Sequence, residues 1–352
     1  AGQHFSLVGA TVAILAAIGH GQALTQGGIQ QGFVGLRFEL AAAGLYGDLV
    51  AHRFSLAVGY NADVQKILLV GSGDIARRIL TQLQPHYRVY AVLRNPLAGA
   101  AWRQAGATVV LADLDEARSL RRLAGLADVV IHLAPPPGTG ESDSRTRHLL
   151  AALSRSQSLP RRLIYVSTTG VYGDCRGAWI DETRALQPDN TRAKRRVDAE
   201  RRLRDWGARN AVTVSILRVP GIYAHDRLPI ERLQKGLPAL VDRDDVYTNH
   251  IHADDLAAAC LAALRYGRPN RACNVVDDSD LKMGEYFDRV ADAFALPRPR
   301  RLPRSELAAE VSPMMMSFMR ESRRIGNRRL KKELTLRLVY PTVDVGIAEA
   351  IS

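Results

Sequence analysis

The chain has 352 residues, 47% of them hydrophobic and 24% charged, which suits one large folded domain or two ordinary ones and excludes a disordered chain. Its formal net charge of +12 comes almost entirely from arginine, but bases alternate with acids in DLDEARSLRRLAG and ERRLRDWGAR, the pattern of a solvated surface more than of a nucleic-acid groove. Three cysteines (Cys175, Cys260, Cys273) make no CxxC pair, which argues for a reducing compartment and against any structural metal, and no run approaches the roughly 18 apolar residues that span a bilayer.

Residues 1–64 are rich in Gly and Ala, nearly free of charge, and show neither a helical period nor alternation. They are expected to form an atypical extension, either packed on the domain or lying upstream of its true start, with the second reading preferred. Their most apolar run, FSLVGATVAILAAIG (Phe5–Gly19), has no basic stretch before it and makes a poor secretory signal. A cytoplasmic protein is expected.

From Gln65 the pattern becomes regular. KILLV (Lys66–Val70) predicts a buried parallel strand, followed by a glycine turn and the amphipathic stretch DIARRILTQL. The runs YRVYAVLR (Tyr87–Arg94), ATVVLAD (Ala107–Asp113), DVVIHLA (Asp128–Ala134), RLIYVSTT (Arg162–Thr169), AVTVSILRV (Ala211–Val219) and ACNVVDD (Ala272–Asp278) come next, most of them separated by helical patterns. Such alternation predicts βαβ units in an α/β, doubly wound parallel-sheet Rossmann fold. The expected organisation is a dinucleotide-binding domain over residues 65–219, with residues 220–352 completing the sheet and forming a smaller C-terminal substrate lobe.

GSGDIA (Gly71, Ser72, Gly73, Asp74, Ile75, Ala76) fits G-x-G-x-x-G/A between the first strand and its helix. Gly71 makes the tight turn, Gly73 lets the backbone approach a pyrophosphate, and Ala76 permits close helix–strand packing. The free N–H groups of the helix N-terminus would receive the phosphates. An acid at the end of the second strand would bind the ribose 2′-OH of NAD, whereas this chain has Arg94 there, so NADP is expected over NAD. Asp113 and Leu114 are expected to border the adenine, and Leu133, Ala134 and Pro135 to line the cofactor channel.

GSGDIA, ADLDE, VVIHLAPP, YVSTTGVYGD, LRVPGIYAHD, IHADDLAAACLAAL and NVVDDSDLKMGEYFDRVADAFALPRP follow one another in order. With them the chain, from Lys66 to its C-terminus, resembles an extended short-chain dehydrogenase/reductase of the NAD-dependent epimerase/dehydratase kind. The resemblance implies chemistry by a Ser/Thr, a Tyr and a Lys four residues after the Tyr. The Ser/Thr position falls on Thr168, with Ser167 and Thr169 as neighbours. Lys194 is matched to the lysine that would hold the nicotinamide ribose, and the tyrosine position then falls on Asn190. Tyr172 belongs to the VYG turn, and no tyrosine occurs between Tyr172 and Tyr223. An amide does not titrate near neutrality, so the usual proton relay is missing. The resemblance also puts Val219 and Pro220 near the nicotinamide and makes sugar nucleotides the default substrates, with a homodimer as the expected assembly.

Tyr223 and His225 are the candidate replacement acid/base groups, because they follow the sixth strand where substrate and nicotinamide walls are expected. Asp189 is read as a helix N-cap, His252 and Asp255 as fixing the start of a helix, and Met314–Met316 as core filling or an adaptable pocket wall. Two functions stay open. One is an NAD(P)-dependent oxidoreductase or epimerase/dehydratase-like enzyme, and the other is a non-catalytic NADP(H)-binding regulatory protein. Nucleic acid is not an expected partner, and neither is a membrane.

Overall fold

A computed structural model describes residues 64–84 and 86–351; the expected extension over residues 1–64 lies almost wholly outside them. A single sheet of seven strands organises the chain: β1 (Lys66–Val70), β2 (Arg88–Leu93), β3 (Thr108–Leu111), β4 (Val129–His132), β5 (Arg162–Thr168), β6 (Thr213–Val219) and β7 (Arg271–Asn274). Their order across the sheet is β7-β6-β5-β4-β1-β2-β3, and every pairing is parallel. The chain therefore winds one way from β1 to β3 and the other way from β4 to β7. That reversal leaves a crevice at the C-terminal ends of β1 and β4, where such sheets bind ligands.

Both faces of the sheet are covered, which is why its strands read as continuous apolar runs instead of alternating ones. In β1, Ile67 and Leu69 join a core with helices α1 (Asp74–Leu83) and α5 (Ala253–Tyr266). Leu68 and Val70 point the other way, into a core shared with α3 (Ser144–Leu153) and α4 (Thr191–Arg209); the short α2 (Gly99–Gln104) buries Trp102 in the first core. A third core, built on Phe287 and Val290 of α6 (Met283–Ala293) with Leu240, Leu307 and Val343, forms a separate lobe. Residues after 220 thus build that lobe and also supply β7 to the sheet.

Below the C-terminal ends of β5 and β6 lies a buried polar network. Glu200 on α4 is fully buried and Arg218 on β6 nearly so, and they pair at 2.8 Å. The Ser167 hydroxyl donates to Glu200 at 2.7 Å, Arg218 donates to the Tyr172 hydroxyl at 2.9 Å, and Tyr172 donates to Asn274 at 2.7 Å. Burial alone would lower the pKa of Arg218, but the hydrogen bonds and charge of Glu200 outweigh it and hold the pKa above its ordinary value. The network fixes α4, β5, β6 and β7 to one another, and Thr168 follows Ser167 directly at the end of β5.

Candidate active site

The glycine turn ends β1 at the sheet's reversal point. Gly71 has φ +104°, and a Cβ there would lie 2.5 Å from the Ala134 nitrogen. The turn can close against β4 only without a side chain. The Leu133 and Ala134 N–H groups both donate to the Val70 carbonyl, at 2.7 and 3.0 Å, locking the two strand ends together. Gly73, the residue before α1, has an ordinary φ of −87°, and a Cβ there would meet nothing within 4 Å. The fold itself does not need a glycine at that position; a ligand lying on the turn would.

A cavity of about 720 Å³ opens over this turn, lined by Gly71–Ala76, Leu133, Pro135, Thr168, Val219 and Pro220. These are the positions that GSGDIA and the strand ends predict. The residues fit a dinucleotide: a positive-φ turn, an open backbone at Gly73, and the N-terminus of α1 facing the space. Asp74, in the first turn of α1, would repel phosphate. Its carboxylate is bound by Arg78 at 2.9 Å and Arg227 at 3.3 Å, and Arg227 lines the cavity too. Sequence reading missed Arg227, because it comes from the segment after β6, far along the chain from the glycine turn.

The other cofactor candidates stand apart from this cavity. Arg94 is exposed just beyond β2. Asp113 accepts the N–H of Asp115 at 2.9 Å. Leu114 is buried in the core. Ala134 is also buried and contributes through its backbone contact to the turn.

The catalytic candidates divide more sharply. Of the three adjacent hydroxyls, Thr168 is the one that borders both the first cavity and a second of about 660 Å³. Ser167 is committed to Glu200. Lys194 faces away from both cavities and pairs with Glu141 at 2.6 Å. Asn190, not Asp189, caps α4, accepting the Ala193 N–H at 2.9 Å, while its amide donates to Glu321 at 3.0 Å. Asp189 instead accepts the N–H of Asp174 at 3.1 Å.

Asn190 does border the second cavity, whereas Lys194 lines neither, and α4 presents Arg192 and Arg196 to the cavities at the same four-residue spacing. Arg192 lines the second cavity, and Arg196 lines both. Ala193, Ala199, Leu203 and Trp206 set the rotation of α4 by packing inward, which turns Lys194 outward. The inward pair is therefore two guanidiniums, and neither can serve as a proton relay.

Tyr223 is buried with its hydroxyl on the Thr342 carbonyl at 3.2 Å, and burial first, then Asp277 and Asp255, push its pKa well up. His225 is exposed and lines neither cavity. Neither is placed for acid/base work. His250, which sequence reading missed, does line the second cavity. Burial pushes its pKa down to about 4, so it stands there as a neutral ring against Tyr286.

His252 caps α5, accepting the Asp254 N–H at 3.3 Å. Asp255 instead holds the chain at Val339 and Tyr340, both at 2.9 Å. Met315 lines the second cavity and Met316 is buried in the lobe; the Met314 side chain is outside the description.

A doubly wound parallel sheet, a glycine turn at its reversal point and an attached lobe make up a dinucleotide-binding fold of the Rossmann type. The chain belongs to the NAD(P)H-binding family, whose model matches residues 71–266. Solved structures agree on the fold. A conserved protein of unknown function from Silicibacter pomeroyi is 28% identical, with a TM-score of 0.66 over 82% of this chain and 98% of that one. UDP-glucose 4-epimerase from Thermotoga maritima shares 17% identity and a TM-score of 0.66 over 81% of this chain and 97% of its own. For dTDP-glucose 4,6-dehydratase from Streptomyces venezuelae, with NAD bound, the values are 19% and 0.66 over 82% and 95%. No curated protein matches the sequence. Among the described residues, no helix is long and apolar enough to cross a membrane.

Proposed function

We propose that the protein is a cytoplasmic enzyme that exchanges hydride between NADP(H) and a small hydroxyl- or carbonyl-bearing substrate, as an oxidoreductase or an epimerase/dehydratase-like enzyme working without a tyrosine. The observation that carries this reading is the junction of the two cavities: Thr168, Pro135, Arg196 and Pro220 line both. A molecule in the second cavity would thus meet the end of a dinucleotide held on the glycine turn. A bound nicotinamide supplies or accepts the hydride. Thr168 would hydrogen-bond the reacting oxygen, and the Arg196 guanidinium would stabilise negative charge developing on it. Arg196 is anchored for this by donating to the Val166 carbonyl at 2.8 Å and the Tyr165 hydroxyl at 3.0 Å. Since an arginine keeps its proton, the proton would be exchanged with water.

Two expected results test the reading. Arg94→Ala is expected to weaken NADP⁺ binding about tenfold, or ~1.4 kcal/mol, and to leave NAD⁺ binding unchanged in calorimetric titration; equal losses for both would remove the preference for NADP. Thr168→Val is expected to leave cofactor affinity intact. It should slow the rise in absorbance at 340 nm, when the NADP⁺-loaded protein meets a panel of hydroxy compounds, by about 100-fold or more.

A second reading, a regulatory NADP(H)-binding protein without turnover, is favoured by one observation. The imidazole on the substrate cavity is held neutral, with its pKa at about 4, so it offers no acid near neutrality. Tight cofactor binding with no absorbance change for any compound would decide for this alternative.

A further inference from the structure

The second cavity carries more positive charge than the protein neutralises. Four of its lining residues are arginines (Arg192, Arg195, Arg196 and Arg323), and its lining carboxylate is Glu321. Arg323 takes that carboxylate, at 2.7 Å, and Glu321 also accepts the Asn190 amide. Among the described residues, no carboxylate is hydrogen-bonded to the other three. Arg195, only 7% exposed, donates to the Gly140 carbonyl at 2.6 Å, and its buried Nε has no partner. Arg196 bonds neutral oxygens alone. Arg192 lies over the Phe318 ring at 4.4 Å.

Nothing in the stability of α4 accounts for this arrangement. Cations in the first turn of a helix oppose its dipole, and like charges four residues apart repel. Arg192 stands in that turn, four residues before Arg196. Burial, and then Arg195 and Arg196 against the partial relief from Glu321, lower the pKa of Arg192. A bound anion would neutralise the cluster and also lie at the positive end of α4. Farther along, Tyr286, Phe287 and Phe318 give the same cavity an aromatic wall.

We propose that the second cavity takes a substrate bearing a carboxylate or phosphate group, held by Arg192 and Arg195 beside Thr168, with an aromatic or apolar body against Tyr286, Phe287 and Phe318. The word substrate rests on the hydride-exchange reading; the anion site stands on the cavity alone. Guanidinium groups suit such oxyanions because their forked donors match two oxygens at once. The neutral hydroxyls of a sugar ring would leave the charge uncompensated.

Calorimetric titration with benzoate, phenyl phosphate and neutral benzamide, with and without saturating NADP⁺, tests this. At least one anion is expected to bind ten or more times tighter than benzamide. Arg192→Gln should weaken that anion at least tenfold and leave benzamide unaffected, whereas Lys194→Gln, outside the cavity, should change nothing. The tighter anion identifies the group. Arg192→Gln removes an unfavourable charge from the first turn of α4, so melting curves should show a folded protein. Benzamide binding as well as both anions, no binding by any probe, or anion affinity indifferent to Arg192→Gln would each overturn the proposal. If NADP⁺ fails to bind while the anion does, the hydride-exchange reading falls and the anion site remains; the reverse removes only the anion site.

Discussion

Replacing Gly73 with valine is expected to weaken NAD(P) binding by about 100-fold or more, some 2.7 kcal/mol, without lowering the melting temperature. At this position the free protein makes no steric demand: the backbone is extended and a Cβ would meet nothing within 4 Å. A branched side chain would instead fill the space over the turn that a pyrophosphate needs in order to reach the N–H groups of α1. Gly71→Ala is the informative contrast. There a Cβ would press within 2.5 Å of the Ala134 backbone at φ +104°, so the loss is expected in the fold, roughly 2–5 kcal/mol from strain and overpacking. Calorimetry and thermal melts on both variants separate the two glycines. A Gly73→Val protein that still binds the cofactor at full affinity would show that the phosphates do not lie on this turn.

Glu200→Ala is expected to be the most damaging single change in the sheet's second half. It would leave Arg218, only 3% exposed, as a buried charge without its partner, at a cost of about 3–5 kcal/mol. At roughly 2–4 °C per kcal/mol for a domain of this size, the melting temperature should fall on the order of 10 °C. Removing both charges, as in Glu200→Leu with Arg218→Met, is expected to recover a substantial part of that loss, because no uncompensated ion remains. A double variant as unstable as the single one would mean that the hydrogen bonds to Ser167 and Tyr172, and not the ion pair, supply the stability. Since Ser167 precedes Thr168 and bonds directly to Glu200, hydride exchange should fall with the single variant even below its melting temperature.

Much of this architecture can be read from residue order. Runs such as KILLV and VVIH carry no polar alternation because helices cover both faces of the sheet, and that feature alone separates them from half-exposed strands. The glycine turn is equally legible, since the positive φ of Gly71 and the ligand space at Gly73 demand the same residue for two different reasons.

Which face of α4 meets the cavities was not legible. Arg192, Lys194, Arg195 and Arg196 crowd five positions, and any of them satisfies a pattern that asks for a cation after the helix start. Matching the lone lysine to the expected lysine selected the wrong side. The rotation of the helix comes from Ala193, Ala199 and Leu203 packing inward, and from Glu200 reaching Arg218 on a strand eighteen residues away. The same holds for Tyr223 and His225: the first points into the lobe's core and the second into solvent, although both follow β6 closely.

The sequence by itself determined the strands, the doubly wound sheet and the glycine turn, because local period, burial on two faces and backbone geometry are written in neighbouring residues. Only the tertiary structure decided which cations face the cavities, that Glu321 and Arg323 from the far end of the chain close one wall, and that Arg227 reaches the glycine turn. Those contacts join residues distant in the chain, and they depend on how helices are turned as they pack, which no local pattern specifies.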